Sequence, residues 1–589
     1  MIFIERRRPA WSREWVIPAG LIWLAVSAIF VAASWRAIAG LALPDADDAL
    51  RMVEVRDLLA GQGFFDLHQY RVDPPHGMAM HWSRLVDLPL WLIQLLLRPL
   101  LGPDLAERAA LVLVPLLTLG AALGFAGRLA WRVLGAPVLP YACVVLALLT
   151  PAAGQMQPLR IDHHGWQIVC ALAALGSLAA RRPQLAGWGA GTALALGMTI
   201  SLELLPLAAL FGGVMALRWL REPGSAALLA GYVQALALVG TLAFLGTRGL
   251  ADLASHCDTL SPAYLAALWV AAAGVSALAL LPRVPGWRIA AGLGVIALVA
   301  AGTLMLIAPA CRAGPFGGLD PLVRQFWYDN VLEGRPVWLQ PLPVIAQMIV
   351  PPLLGLLASL RLWHRSRGWL REFWCDYALL LGGALMLAVM VARASGFACA
   401  FAAVPLGWQL WQWHGAARRI RAPLKRLAAL GGMALAVMPA LPLRAGAALF
   451  PEATSQLPGS ALAACDLRVA APLLGREAPA TILAPIDLGP AILTQTRHRV
   501  VATAHHRAPA ALHDVIAAFI ADPAAAQRIV AVHGAGFVAI CPGLTEAATY
   551  RRAAPHGLMA ALADNRPPAW LRPVPMPRQS GLMVWRVVR

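Results

Sequence analysis

Four stretches of this chain concentrate side chains able to hold a cation, bind a phosphate or move a proton. LPDADDALRMVEVRDLLAGQGFFD (43–66) gathers Asp45, Asp47, Asp48, Glu54, Asp57 and Asp66 around Arg51, and QYRVDPPHGMAMHWSRLVD follows with His81. LRIDHHGW sets Asp162, His163 and His164 in consecutive positions; CRAGPFGGLDPLVRQFWYDNVLEGRP carries Asp329 and Glu333; ARASGF carries Arg393. Carboxylates with imidazoles suit a divalent cation. A permanently charged guanidinium suits a phosphate, and a further carboxylate can position or deprotonate an acceptor. Each stretch alone has a plainer explanation: loop carboxylates are usually solvated, and an Arg at a helix end commonly snorkels. The chemistry requires the four stretches to meet.

The elements that must bring them together are hydrophobic. Of 589 residues, 59% are hydrophobic and 13% charged, with mean hydropathy +0.66. A soluble domain averages about 25% charged residues, so the composition is that of a polytopic membrane protein. The net charge of +18 does not indicate nucleic acid. The basic residues fall in short clusters between apolar runs, at Arg6-Arg7-Arg8, Arg181-Arg182, Arg218/Arg221, Arg361 to Arg371 and Arg418 to Arg426. That is the positive-inside pattern, which makes these clusters cytoplasmic. The first apolar run resembles a signal peptide, with Ala37-Ile38-Ala39 mimicking a cleavage site. Its length and Arg36 make it a retained anchor.

Parity then places the segments. Crossings are expected at 16–43, 109–127, 137–150, 165–180, twice within 187–217 with an outside turn near Glu203, and at 224–245, 263–282, 288–308, 343–360, 375–391, 396–413 and 427–444, roughly thirteen in all. The stretch 88–101 is short, contains Arg98, and reads as an interfacial or re-entrant helix. All four chemical stretches then face the exterior, as do Cys257, Cys311, Cys465 and Cys541. Spacing does not fix their pairing. Cys257 and Cys311 flank two crossings that begin and end outside, so a bridge there could staple two loops, with Cys465–Cys541 as the matching pair. The remaining cysteines are span fillers.

The order of motifs resembles the GT-C class of membrane glycosyltransferases. Asp48, Glu54 and Arg56-Asp57 after a first spanning helix resemble its first acidic motif. Asp162-His163-His164 looks like the second acidic motif of the archaeal oligosaccharyltransferase catalytic subunit, and Asn330 to Pro336 is similar to that family's Ser-Val-x-Glu-x-x-Pro element. The resemblance implies a GT-C fold with a C-terminal α/β domain. It implies Mn²⁺ or Mg²⁺ held by Asp48, Asp162 and His164, Asp48 and Glu333 as catalytic carboxylates, and Arg393 on the donor phosphate. Glu54, Arg51, His81 and His163 would support them. The donor would be a sugar or glycan on polyprenyl phosphate or pyrophosphate, and the acceptor a protein, lipid or glycan. The family's Trp-Trp-Asp-Tyr-Gly element is missing. Its nearest match, Ala484-Pro485-Ile486-Asp487-Leu488-Gly489, has neither Trp nor the Tyr, so a sequon pocket is not supported.

The reading is therefore a 1–445 transmembrane domain with chemical loops at 44–87, 151–164 and 309–342, and a 446–589 domain outside. The N-terminus would be cytoplasmic, and the exterior would be the periplasm of a bacterial inner membrane. Strands are expected at 480–484, 499–502 and 536–540, and helices at 509–520 and 523–533, the latter capped by Asp522. A transporter or flippase of lipid-linked sugars is the alternative, and a monosaccharide transferase acting on a lipid or polysaccharide is the rival within the enzyme class. A transporter would place its ionisable residues mid-span.

Overall fold

The computed structural model describes residues 13–281, 285–448 and 465–588. The Arg6-Arg7-Arg8 cluster and the junction 449–464 lie outside the described residues. The order is α1 (Val16–Gly40), α2 (Ala46–Leu59), α3 (Arg84–Val133), α4 (Leu139–Leu148), α5 (Thr150–Ala153), α6 (His164–Ser177), α7 (Pro183–Ile200), α8 (Leu205–Arg221), α9 (Ala226–Thr247), α10 (Pro262–Leu280), α11 (Gly286–Ile307), α12 (Pro321–Phe326), α13 (Leu342–Arg365), α14 (Trp369–Met390), α15 (Ser395–Ala417) and α16 (Pro423–Val437). Every expected crossing is helical. Among the described residues, eight helices are long and apolar enough to cross a membrane, or nine if the bent pair 136–148 and 150–156 is one span. The expected count of about thirteen crossings is thus not reproduced on length and composition. The helices α6, α7, α15 and α16 are shorter or diluted by Gly, Gln, Trp and Lys.

The stretch 88–101 belongs to the first arm of α3, which breaks at Gly102 (φ 77°). Its exposed Leu92, Leu95, Leu96, Leu100 and Leu101 form the apolar flank expected of a helix at a membrane interface. Inside the bundle, small residues allow the closest packing. A Cβ on Gly187 would lie 2.0 Å from the Leu228 carbonyl oxygen, and one on Gly191 would lie 2.4 Å from that of Tyr232. The GWGAG run is therefore what lets α7 and α9 meet backbone to backbone.

The C-terminal domain has a five-stranded sheet in the order β4 (Arg499–Val500), β3 (Thr481–Leu483), β5 (Phe537–Ile540), β7 (Met583–Val587) and β6 (Leu571–Val574). A separate two-stranded ribbon in the loop between α2 and α3 pairs β1 (His68–Gln69) with β2 (Met78–Ala79). In the larger sheet β3 is parallel to β4 and β5, and β7 is antiparallel to β5 and β6. The expected strands and helices are present, the helices as Pro509–Ile520 and Pro523–Val532. Asp522 accepts from the Ala524 and Ala525 amides. Both disulfides are formed, Cys257–Cys311 and Cys465–Cys541.

This domain does not stand apart from the bundle. Leu50 and Val53 of α2 and Val72, Met78, Met80 and Trp82 of the loop after it share one hydrophobic core with its sheet. Arg71 donates to the Leu493, Thr496 and His498 carbonyls, and Val72 pairs in parallel with Val500. Arg56 donates to the Thr494 carbonyl while gripping Glu107 through two 2.7 Å contacts. The helix carrying the acidic motif is thus clamped between bundle and sheet.

Candidate functional site

The site is built from helix beginnings. Asp45 caps α2 by accepting from the Asp47 amide at 3.1 Å, which puts Asp47 and Asp48 in the first helical turn. Carboxylates are favoured there by the unpaired amides and the positive end of the helix dipole. This local reason for an acidic cluster operates whatever the residues do. Asp162, His163 and His164 sit at the opposite junction, where an irregular turn leads into α6. That turn needs glycine at its fourth position, because a Cβ on Gly165 would lie 2.7 Å from the Gln155 carbonyl oxygen.

Asp48 joins the two motifs, but not as a ligand of the expected kind. It is fully buried, and its Oδ1 accepts from the Ile161 amide at 2.8 Å and the Asp162 amide at 2.9 Å. Its Oδ2 accepts from Arg160 Nη1 at 3.1 Å. Its oxygens are therefore committed to holding the Asp162 turn. Asp47, one residue earlier, is the second α2 carboxylate near this turn, where the Asp162 charge opposes its ionisation and His163 favours it. Sequence reasoning missed it because both aspartates lie in the same turn, and only the helix rotation distinguishes them.

Asp162, His163 and His164 offer ligand atoms within 4.8 Å of one another. His163 Nδ1 and Asp162 Oδ1 are in close contact, and His164 Nε2 lies 3.3 Å from Asp162 Oδ2. Gln167 fixes the second imidazole. Its amide donates to Glu203 at 3.4 Å, so its carbonyl faces His164 Nδ1 at 3.0 Å and accepts from it. Gln167 thereby orients His164 with Nε2 toward Asp162, the second-shell arrangement that prepares a histidine for a metal. Burial alone would raise the Asp162 carboxyl, but the two imidazoles hold it well below its ordinary value. Burial would likewise lower His163, yet the Asp162 charge pushes it up to about 10.

Two further segments close around this group. Arg393, on a short turn between α14 and α15, bonds Glu203 through Nη1 and Glu333 through Nη2, the latter at 2.9 Å. The Ala392 amide donates to the Arg335 carbonyl at 3.0 Å and ties the two loops through their backbones. Glu203 completes the ring, since its Oε2 lies 3.7 Å from His163 Nε2 and 3.8 Å from His164 Nδ1. A lone acid inside the apolar 187–217 run was the signal for it. Of the other expected residues, Arg51 is buried on Asp87 at 2.6 Å and lies over the Trp82 ring, and Glu54 faces the same Asp87. Burial and then Asp87 push the Glu54 carboxyl up to about 8. Arg51 therefore braces the first loop. His81 lies apart, beside Asp258 and His506.

The C-terminal domain also reaches the site. His505 Nε2 lies 3.0 Å from Asp47 Oδ1, with His505 Nδ1 held by Thr503 Oγ1 at 2.9 Å. Asp487, in the turn after β3, is pushed up to about 6 by burial and then by Asp45. The Ile486 and Asp487 amides donate to Glu546 at 2.9 and 3.0 Å.

An apolar helical bundle, acidic loops and a C-terminal α/β domain packed over them make up the GT-C fold. More particularly, it is the fold of the archaeal oligosaccharyltransferase AglB from Archaeoglobus fulgidus. The form bound to an inhibitory peptide and a dolichol-phosphate matches with TM-score 0.66 at 13% identity, over 95% of this chain and 73% of that one. The apo form gives 0.62 at 13% identity, over 96% and 74%. The complex with Zn and sulfate gives 0.61 at 14%, over 98% and 73%. No protein-family model and no curated protein matches this sequence.

Proposed function

We propose that this chain is a glycosyltransferase that moves a sugar or glycan from a polyprenyl phosphate or pyrophosphate carrier to an acceptor at the periplasmic face of a bacterial inner membrane. The observation that carries this reading is the meeting of Asp47, the Asp162–His164 turn, Glu203, Glu333 and Arg393, drawn from separate external segments, in an oligosaccharyltransferase fold. Residues 1–445 would form the membrane domain and 446–589 the exterior one.

The donor set fits a divalent cation. Asp162, His163 and His164 lie within one coordination sphere's reach, with His163 Nδ1 and His164 Nε2 both turned to the Asp162 carboxylate. We assign Asp162, His164 and His163 to the cation with Asp47 facing them, in place of Asp48. Imidazoles among the donors favour a transition-type ion, Zn²⁺ or Mn²⁺, over Mg²⁺. When bound, such a cation would stabilise the negative charge that develops on the leaving phosphate.

The chain's own residues would do the rest. Arg393 keeps a buried Nε without a hydrogen-bond partner, so it has a donor in reserve for phosphate beyond its two carboxylate contacts. Phosphate arriving there would compete with Glu333 for the guanidinium and free that carboxylate. Glu333 would then orient the acceptor and take its proton as the new bond to the anomeric carbon forms and the C–O(phosphate) bond breaks. The Ala484–Gly489 turn has neither Trp nor Tyr and does not support a sequon pocket, so the acceptor stays open among protein, lipid and glycan.

The test is to incubate the purified chain with extracted polyprenyl-linked sugars and Mn²⁺ and to identify products by mass spectrometry. A glycosylated acceptor that disappears in the Glu333→Gln variant supports the reading. Carrier lipid moved across vesicles without loss of its sugar would replace it with the transporter.

A further inference from the structure

A second cluster of ligand-type residues lies outside this ring. His81 comes from the first external loop, Asp258 from the loop between α9 and α10, and His506 from the C-terminal domain. Each offers a ligand atom, and these all lie within 4.8 Å of one another. His506 Nε2 lies 2.6 Å from Asp258 Oδ2, and the His81 and His506 ring centroids are 4.9 Å apart. His81 Nδ1 is buried with no hydrogen-bond partner. A buried polar nitrogen left unpaired is costly, and native structures rarely keep one without a ligand or function.

We propose that His81, Asp258 and His506 form a second divalent-metal site of the zinc type, separate from the cation site of the proposed transferase reaction. Two imidazoles and one carboxylate make a borderline N₂O set that suits Zn²⁺ and is poor for Mg²⁺, which prefers oxygen. The outer shell is already in place. Arg507 grips Asp258 through two 2.7 Å bonds, one to each oxygen, and fixes the carboxylate's orientation while leaving lone pairs free. Arg248 donates to the His81 carbonyl at 2.6 Å and to Asp252 at 2.6 Å. Phe316 and Trp327 pack on the His506 ring, and the Cys257–Cys311 bridge anchors the residue next to Asp258. Because its ligands come from three segments, the ion would pin the C-terminal domain to the membrane domain's loops. That pinning would hold the adjacent His505 against Asp47.

The experiment uses the full chain in detergent, stripped with a chelator and carrying Asp162→Asn and His164→Ala to disable the first cluster. Zn²⁺ is titrated against a competing chelator. One ion per chain is expected, with affinity falling roughly 100-fold or more in His81→Gln or His506→Gln, as for loss of a first-sphere ligand. Absence of binding, or a His81→Gln chain that binds as tightly as its parent, overturns the proposal. In case the disabled background does not fold, the parental chain supplies the same decision. Its bound zinc should fall by one ion per chain in His81→Gln, and its Co²⁺ form should lose one set of visible d–d bands. If neither changes, the proposal is wrong. Because the readout is metal bound and not sugar transferred, a failure of the glycosyltransferase reading would leave this result intact.

Discussion

Asp47 and Asp48 are adjacent acids in one helical turn, and the geometry assigns them opposite tasks that a pair of substitutions can separate. Asp48→Ala removes the acceptor of the Ile161 and Asp162 amides and of Arg160. Each orphaned buried amide costs about 1–3 kcal/mol, and some relaxation is expected, so the turn should lose about 2–4 kcal/mol against local opening. In hydrogen exchange this corresponds to roughly 30- to 1000-fold faster exchange at those two amides. Asp48 is fully buried, so solvent does not weaken the effect. Asp47→Ala touches only the His505 contact and is about one-third exposed at 31%. Its effect on the same amides should stay within about threefold, the range of a surface change. Mn²⁺ affinity should nevertheless collapse in Asp47→Ala, because the α2 carboxylate we assign beside the cation is gone. The measurement is amide exchange followed by mass spectrometry, with Mn²⁺ binding on the same preparations. Parental exchange at Ile161 and Asp162 in Asp48→Ala, combined with lost Mn²⁺ binding, would refute the reasoning and return Asp48 to the role the motif first suggested.

Three other outcomes follow from the same contacts. Arg393 bridges Glu203 and Glu333, so a double-mutant cycle between Arg393→Ala and Glu203→Gln should give a coupling of about 0.5–2 kcal/mol in donor binding, whereas Glu333→Gln should spare donor binding and lower turnover; additive effects would break the proposed ring. Burial, followed by Asp487, raises Glu546 to about 8 in the folded chain from 4.5. The folded state therefore binds the extra proton between these values, so stability should fall as pH rises from 4.5 to 8, and Glu546→Gln should flatten that slope in a thermal-melt series. Non-reducing peptide mapping should find Cys257–Cys311 and Cys465–Cys541 linked, and Cys465→Ala with Cys541→Ala should cost roughly 2–5 kcal/mol given the 76-residue separation; four free thiols would contradict both bridges.

What the sequence determined by itself was set by composition and period. Long apolar runs bounded by arginines dictated where helices lie, because the bilayer permits little else. Apolar β-rich runs such as 537–540, and Asp522 before Pro523, located strands and a helix start, since these signals act over a few residues. Strands β6 and β7 escaped notice, because Pro573 and Arg586 interrupt their apolar pattern. The motifs for the site were legible too, but their assignment was not. Which of Asp47 and Asp48 holds the Asp162 turn and which meets His505 depends on how α2 is rotated, which Arg56 on Glu107 and on the Thr494 carbonyl helps decide. Glu203 and His505 enter the site only because separate segments fold onto one surface, and His81 leaves it because its loop packs against Asp258 and His506 instead. Local chemistry is written residue by residue, whereas convergence is a property of packing between segments as far apart as Asp47 and His505, and no short-range signal encodes it.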